Sequence, residues 1–149
     1  MRLSSAIALV LVTPAALAAQ GTHPRASVRP ASTKPVTGTY AWHRSKEAGC
    51  TLQVAEQGKG SIRFALDCNR GAPSYNMGLI GGVVPLRNGE ATFRTTAYRG
   101  LCELRFRFRG PTLTVGQTGE DVDCGFGAWV SADGTYRRIS RARPRFERP

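Results

Sequence analysis

Few side chains in this sequence can do acid–base or nucleophilic chemistry. Of the two histidines, His23 lies in a Pro-rich stretch, and only His43 falls in the part that reads as folded. A Ser-His-Asp triad, a His/Cys zinc centre or a His pair therefore has almost nothing to build on. Glu120-Asp121-Val122-Asp123, with Asp133 ten residues beyond, is the one acidic cluster. Such carboxylates suit a hard cation like calcium, but their order is not that of an EF-hand loop. A solvated loop beside a cystine is the other reading. Glycoside hydrolysis needs two carboxyls across a sugar-sized cleft. Any two of Glu56, Asp67, Glu90 and Glu103 can be written into that scheme, and nothing in the spacing selects a pair. No glycine-rich segment carries the lysine and following helix of a phosphate loop. The chain reads as non-enzymatic, with no cofactor and no metal.

Residues suited to binding are easier to name. Cys124-Gly125-Phe126-Gly127-Ala128-Trp129 sets aromatics among glycines beside a cysteine, so Phe126 and Trp129 are candidate partner contacts. The alternative is that both plug one end of a core. Ala72-Pro73-Ser74-Tyr75-Asn76 is a second loop of this kind, offering Ser74 and Tyr75. Arg105, Arg107 and Arg109 recur with period two, joined by Arg63 and Arg94 on other strands. They make either a polyanion patch or an ordinary charged outer face. The formal charge of +11 is uneven: residues 36–136 carry only +2, and residues from Arg137 onward carry +5. Arg137, Arg138, Arg141, Arg143 and Arg145 are thus candidate contacts for an anionic lipid or polyanion.

Positioning these residues falls to a chain whose ends read differently from its middle. Arg2, the apolar run 6–12 and Ala16-Leu17-Ala18 read as a signal peptide over 1–18. Export to the periplasm or beyond follows, with no transmembrane segment. Residues 19–35 read as a disordered linker, 36–139 as the domain, and 140–149 as an Arg-rich tail. Four cysteines in an exported chain imply two disulfides. Short alternating runs broken by Gly, Asn and Asp predict strands at 37–43, 50–56, 61–69, 75–86, 90–98, 102–109, 112–117 and 129–139. The expected fold is all-β: a small antiparallel up-and-down barrel of about eight strands, stapled by disulfides.

Register arithmetic sharpens this expectation. A turn about Lys59 sets Val54 opposite Phe64, Leu52 opposite Leu66 and Cys50 opposite Cys68, all in one phase. Asn88-Gly89 predicts a type I′ hairpin pairing Leu86 with Ala91 and Val84 with Phe93. Pro85 then marks an edge or a poorly paired position, and Gly81-Gly82 reads as a bend or bulge. Gly110-Pro111 sets Phe108 against Leu113 and Phe106 against Val115, bringing Cys102 near Cys124. Gly38-Thr39-Tyr40 recurs as Gly134-Thr135-Tyr136. Were those strands neighbours, the sheet would close and hide both its edges.

These segments, with Cys102-x-Leu-x-Phe-x-Phe, Val115-x-Gln117 and Cys124-Gly125-Phe126-Gly127, carry a resemblance over residues 36–139. The chain resembles small bacterial periplasmic domains of the lysozyme-inhibitor type. That resemblance implies an eight-stranded barrel and a protein-binding role, and it transfers no inhibitory residue. Three functions follow as expectations. The first is an exported binding protein acting as inhibitor or immunity protein for a cell-wall hydrolase. The second is an envelope protein held to anionic surfaces by its tail. The third is a small-ligand carrier within the barrel.

Overall fold

A computed structural model describes residues 35–146 apart from Lys59. The signal peptide and nearly all of the linker lie outside the described residues. The strands are β1 Gly38–His43, β2 Gly49–Gln57, β3 Ser61–Asn69, β4 Met77–Pro85, β5 Glu90–Thr95, β6 Cys102–Arg109, β7 Thr112–Thr118 and β8 Gly134–Ser140. All pair antiparallel in one sheet of order β4-β3-β2-β1-β8-β7-β6-β5, curled into a nearly closed barrel.

Period-two alternation decides which side chains fill the barrel. On β6, Cys102, Leu104, Phe106 and Phe108 are buried while Arg105, Arg107 and Arg109 face solvent. The β2–β3 ladder has the expected pairs Val54–Phe64, Leu52–Leu66 and Cys50–Cys68, and the last pair is a disulfide. Phe108–Leu113 and Phe106–Val115 pair across β6–β7, and Cys102 bonds to Cys124. The interior is packed with Tyr40, Tyr136, Phe64, Phe106, Leu52 and Ile62, each below 2% exposed. Burying one such side chain contributes about 1.5–3 kcal/mol.

The repeated Gly-Thr-Tyr motif has a physical role. Tyr40 Oη donates to Val36 O at 2.7 Å and Tyr136 Oη to Ala132 O at 2.8 Å, four residues upstream in each case. Each hydroxyl ties down the chain entering its strand. Burial holds both phenols above their ordinary pKa, against the nearby Arg138 in the case of Tyr40. At Gly134 a Cβ would stand 2.8 Å from the Trp42 ring, so the first and last strands approach closely.

Those two strands do pair, with a register shift between Thr39 and Tyr40, but their pairing does not hide both edges. The edges are β4 and β5, the two strands for which Asn88-Gly89 predicts a paired hairpin. Asn88 and Gly89 take positive φ (52° and 79°) and make the expected turn, closed by two bonds between Arg87 and Glu90. The ladder stops there, without the Leu86–Ala91 or Val84–Phe93 pairs. Leu86 N–H turns instead to Gly60 O, and Pro85 has no N–H to offer. Farther along, the Phe93 ring lies over Gly82, where a Cβ would meet it at 2.8 Å. That ring packs edge-on against Phe64 at 5.2 Å, wedging the strands apart. Gly81-Gly82 is not a bulge: β3 and β4 keep unbroken register from Ser61–Pro85 to Asn69–Met77.

Candidate functional site

The Ser74–Tyr75 loop and the Phe126–Trp129 loop, read as separate in sequence, meet at one end of the barrel. Asn76 Nδ2 donates to Ala128 O at 2.8 Å, and Gly127 N–H to Met77 O at 2.9 Å. A Cβ on Gly127 would stand 2.9 Å from that of Asn76, so glycine permits the contact. Within the first loop Asn69 Oδ1 accepts from Gly71 N–H, Gly71 O from Tyr75 N–H, and Asn76 O from Arg70 N–H. Tyr75 Oη reaches Glu47 Oε2 at 3.2 Å. The second loop leaves a 3-10 turn, Asp121–Cys124, whose last residue is bonded to Cys102 on β6.

Trp129 is the outlier of this cluster. It is 74% exposed at φ 68°, a left-handed conformation that non-glycine residues seldom adopt. Tyr75 is likewise left-handed, at φ 50°, and 55% exposed. Each such residue costs on the order of 1–3 kcal/mol, and such strain concentrates at contact sites. Asp121 accepts the Trp129 N–H, and the Arg70 guanidinium sits 5.6 Å from its ring. The depression between Trp42, Arg70 and Trp129 holds only about 40 Å³, roughly one water's worth. This end of the molecule presents a protruding ring and no enclosing cavity at Trp129.

Phe126 is corrected from a contact residue to a core residue. It is 4% exposed, with its ring where a Cβ on Gly78 would be. Ser74 is exposed beside Tyr75. The late start of β8 is a second correction. Trp129 cannot extend a strand, and Asp133 holds residues 131–133 as a loop through Gln117 N–H and Ser131 Oγ.

The acidic cluster is spent on backbone. Asp121 accepts from Val122 and Trp129 N–H, and Asp123 from Glu120 N–H. Among the described residues no three potential ligands gather around a cation site. The arginine row is tied up similarly. Glu103 is 5% exposed between Arg94 and Arg105, bonded to both, while Glu90 lies 3.5 Å from Arg107 and 3.6 Å from Arg109. Withdrawal from water raises the Glu103 pKa, but hydrogen bonds from Arg94 and Arg105 and their charges outweigh this and hold it below its ordinary value. A depressed carboxyl stabilises the fold above its unfolded-state pKa and loses that contribution as pH falls through the folded-state value. Glu103→Gln is therefore expected to reduce the urea midpoint at pH 7, and the gap to the parent should close as pH falls below the ordinary carboxylate range. A gap that stays constant would remove Glu103 from the acid response.

The tail is not the uniform arm its composition implied. Arg138 belongs to β8 and turns toward the barrel, donating to Tyr40 Oη, Pro35 O and Gly110 O. It is corrected from an anion contact to a structural residue. Arg143 donates to Glu56 O at 3.1 Å, and Phe146 packs beneath Arg63, so residues 143–146 lie along the outer face of β2 and β3. Arg137, Arg141 and Arg145 remain exposed.

No helix among the described residues is long and apolar enough to cross a membrane. Comparison with protein-family models, curated proteins and solved structures finds no match to this chain. The class defined by fold and site is a disulfide-bonded β-barrel with an exposed tryptophan, Trp129, at one end.

Proposed function

We propose that the chain is an exported, non-enzymatic binding protein whose loop end seats in a partner protein, and that this partner is a cell-wall hydrolase. The observation that carries the reading is Trp129, 74% exposed yet fixed by Asp121, Arg70 and the nearby Cys102–Cys124 bridge. An exposed tryptophan ordered before binding avoids much of the entropy cost of association, and Trp and Arg dominate interface hot spots. Glycoside hydrolases keep two carboxyls in a cleft. An aromatic ring with a guanidinium at its side has the shape and charge to enter one. A basic chain suits an acidic hydrolase.

Clearing of peptidoglycan by a panel of cell-wall hydrolases, with and without the oxidised chain from residue 19 on, tests this. Inhibition of at least one enzyme is expected. Trp129→Ala should weaken it by about 30-fold or more, the size of a hot-spot loss, with melting within a few degrees of the parent. Undiminished inhibition by the variant would move the contact elsewhere. Hydrolysis by the chain itself, abolished by replacing one carboxylate, would overturn the non-enzymatic reading.

A further inference from the structure

The seam between β4 and β5 supports an inference separate from the loop end. Two bonds define which backbone groups of β4 face away from β3. Gly127 N–H binds Met77 O from outside the sheet, while Leu86 N–H continues the β3 ladder at Gly60. In an antiparallel strand the direction alternates by residue. The N–H and C=O groups of Leu79, Gly81 and Val83 therefore point to the free edge. On β5, Phe108 N–H binds Gly89 O, so Thr92 and Arg94 face the seam. No ladder joins the two edges among the described residues beyond Arg87–Glu90.

The gap has a lining suited to an extended chain. A cleft of about 470 Å³ opens between Leu79, Ile80 and Gly81 on one side and Phe93, Thr95 and Tyr98 on the other. It shares Leu79 and Gly81 with an outer groove of about 800 Å³ flanked by Arg63 and Arg145. Met77, Leu79 and Val83 are 50%, 60% and 61% exposed along the same strand. Edge strands are ordinarily guarded by charge, bulges or cover. β4 has no charged residue and no register shift, and its one proline stands at the end.

We propose that β4 accepts an extended, acidic and apolar segment of a partner polypeptide as an added strand. Only a polypeptide supplies donors and acceptors at the strand repeat of roughly 3.3 Å per residue. Arg63 and Arg145 against the single carboxylate Asp67 in the outer groove favour acidic side chains on the partner. The chain's own segment 20–35 has the wrong composition, with Pro24, Pro30 and Pro35 among Arg25, Arg29 and Lys34.

The test uses the oxidised chain from residue 19 and a peptide of alternating valine and glutamate as long as β4. Its valine–lysine counterpart serves as the comparison. In the free protein the amides of Leu79, Gly81 and Val83 should exchange fast and those of Gly78, Ile80 and Gly82 slowly. The acidic peptide should protect the first set at least tenfold, and the lysine peptide should not. N-methylation of alternate peptide amides should abolish the protection. Leu79→Pro and Val83→Pro remove edge N–H groups only, each after a glycine that tolerates a following proline. They should fold and bind the peptide about tenfold more weakly, the worth of a lost hydrogen bond. Ile80→Pro breaks the β3 ladder and should unfold the barrel. Slow exchange at all six amides, protection arising from a second copy in sedimentation, or equal protection by both peptides would overturn the proposal. Trp129→Ala should leave peptide protection unchanged, which separates this site from the loop end.

Discussion

Replacing Cys102 and Cys124 by alanine is expected to lower stability by about 3 kcal/mol and melting by roughly 10–20 °C. It should also abolish partner binding by the loop end. The bridge spans 22 residues, so its removal returns considerable loop entropy to the unfolded chain. Cys50–Cys68 spans 18 residues, and losing it should cost a similar amount. The two bridges differ in what survives them. Without Cys50–Cys68, β2 and β3 still hold each other through a ladder of unbroken register from Gly49–Asn69 to Gln57–Ser61. Without Cys102–Cys124, the 3-10 turn keeps little hold on β6. Asp121 then no longer has a fixed place from which to accept the Trp129 N–H. Thermal unfolding of both double-alanine variants, with binding measured well below either midpoint, separates the effects. Equal loss of binding in the two would mean the Cys102–Cys124 bridge acts on stability alone.

Much of the barrel was legible because short antiparallel ladders obey arithmetic. Where a turn residue and two hydrophobic phases agreed, as around Lys59 and Gly110-Pro111, the pairs formed as counted. The Asn88-Gly89 hairpin satisfied the same arithmetic and yet opened after one pair. Its failure lies in tertiary terms that periodicity does not contain. A ring from β5 occupies the space above Gly82, and the Gly60 carbonyl captures Leu86 N–H. Of the glycine pair read as a bend or bulge, Gly82 supplies the room that ring needs, and no bulge forms.

The site was half legible. Tyr75 and Trp129 could be singled out by type and by the glycines and proline near them. Their proximity could not, since it depends on two bonds across the barrel end between residues distant in sequence, Asn76 Nδ2 to Ala128 O and Gly127 N–H to Met77 O. Phe126 and Trp129 have the same local signature and opposite fates. A strong left-handed turn at Trp129 sends one ring outward after the other has entered the core. Composition misled most in the tail, because a run of arginines carries no mark of which members a strand will turn inward.

Arg138→Met is therefore expected to destabilise the barrel by about 2–3 kcal/mol, while Arg137→Met, its neighbour on the solvent face, stays within about 0.5 kcal/mol of the parent. The guanidinium of Arg138 donates to Tyr40 Oη from Nε at 2.9 Å and from Nη2 at 2.6 Å. It reaches Pro35 O at 2.8 Å and Gly110 O at 3.2 Å, and it lies 5.1 Å from the Tyr40 ring. One planar fork thus ties the entry of β1 to the β6–β7 turn and to β8. Methionine keeps much of the stem's packing and removes every donor, so the loss reports the hydrogen bonds. Water can replace part of them at this half-buried position, which limits the cost. Arg138→Lys should fall between the two, because an ammonium cannot serve Tyr40 and both carbonyls in the plane of a guanidinium. Urea unfolding at pH 7 ranks the three variants. Equal midpoints for Arg137→Met and Arg138→Met would return Arg138 to the solvated arm. The expected order instead takes Arg138 out of any anion contact and leaves that role, among the described residues, to the exposed Arg137, Arg141, Arg143 and Arg145.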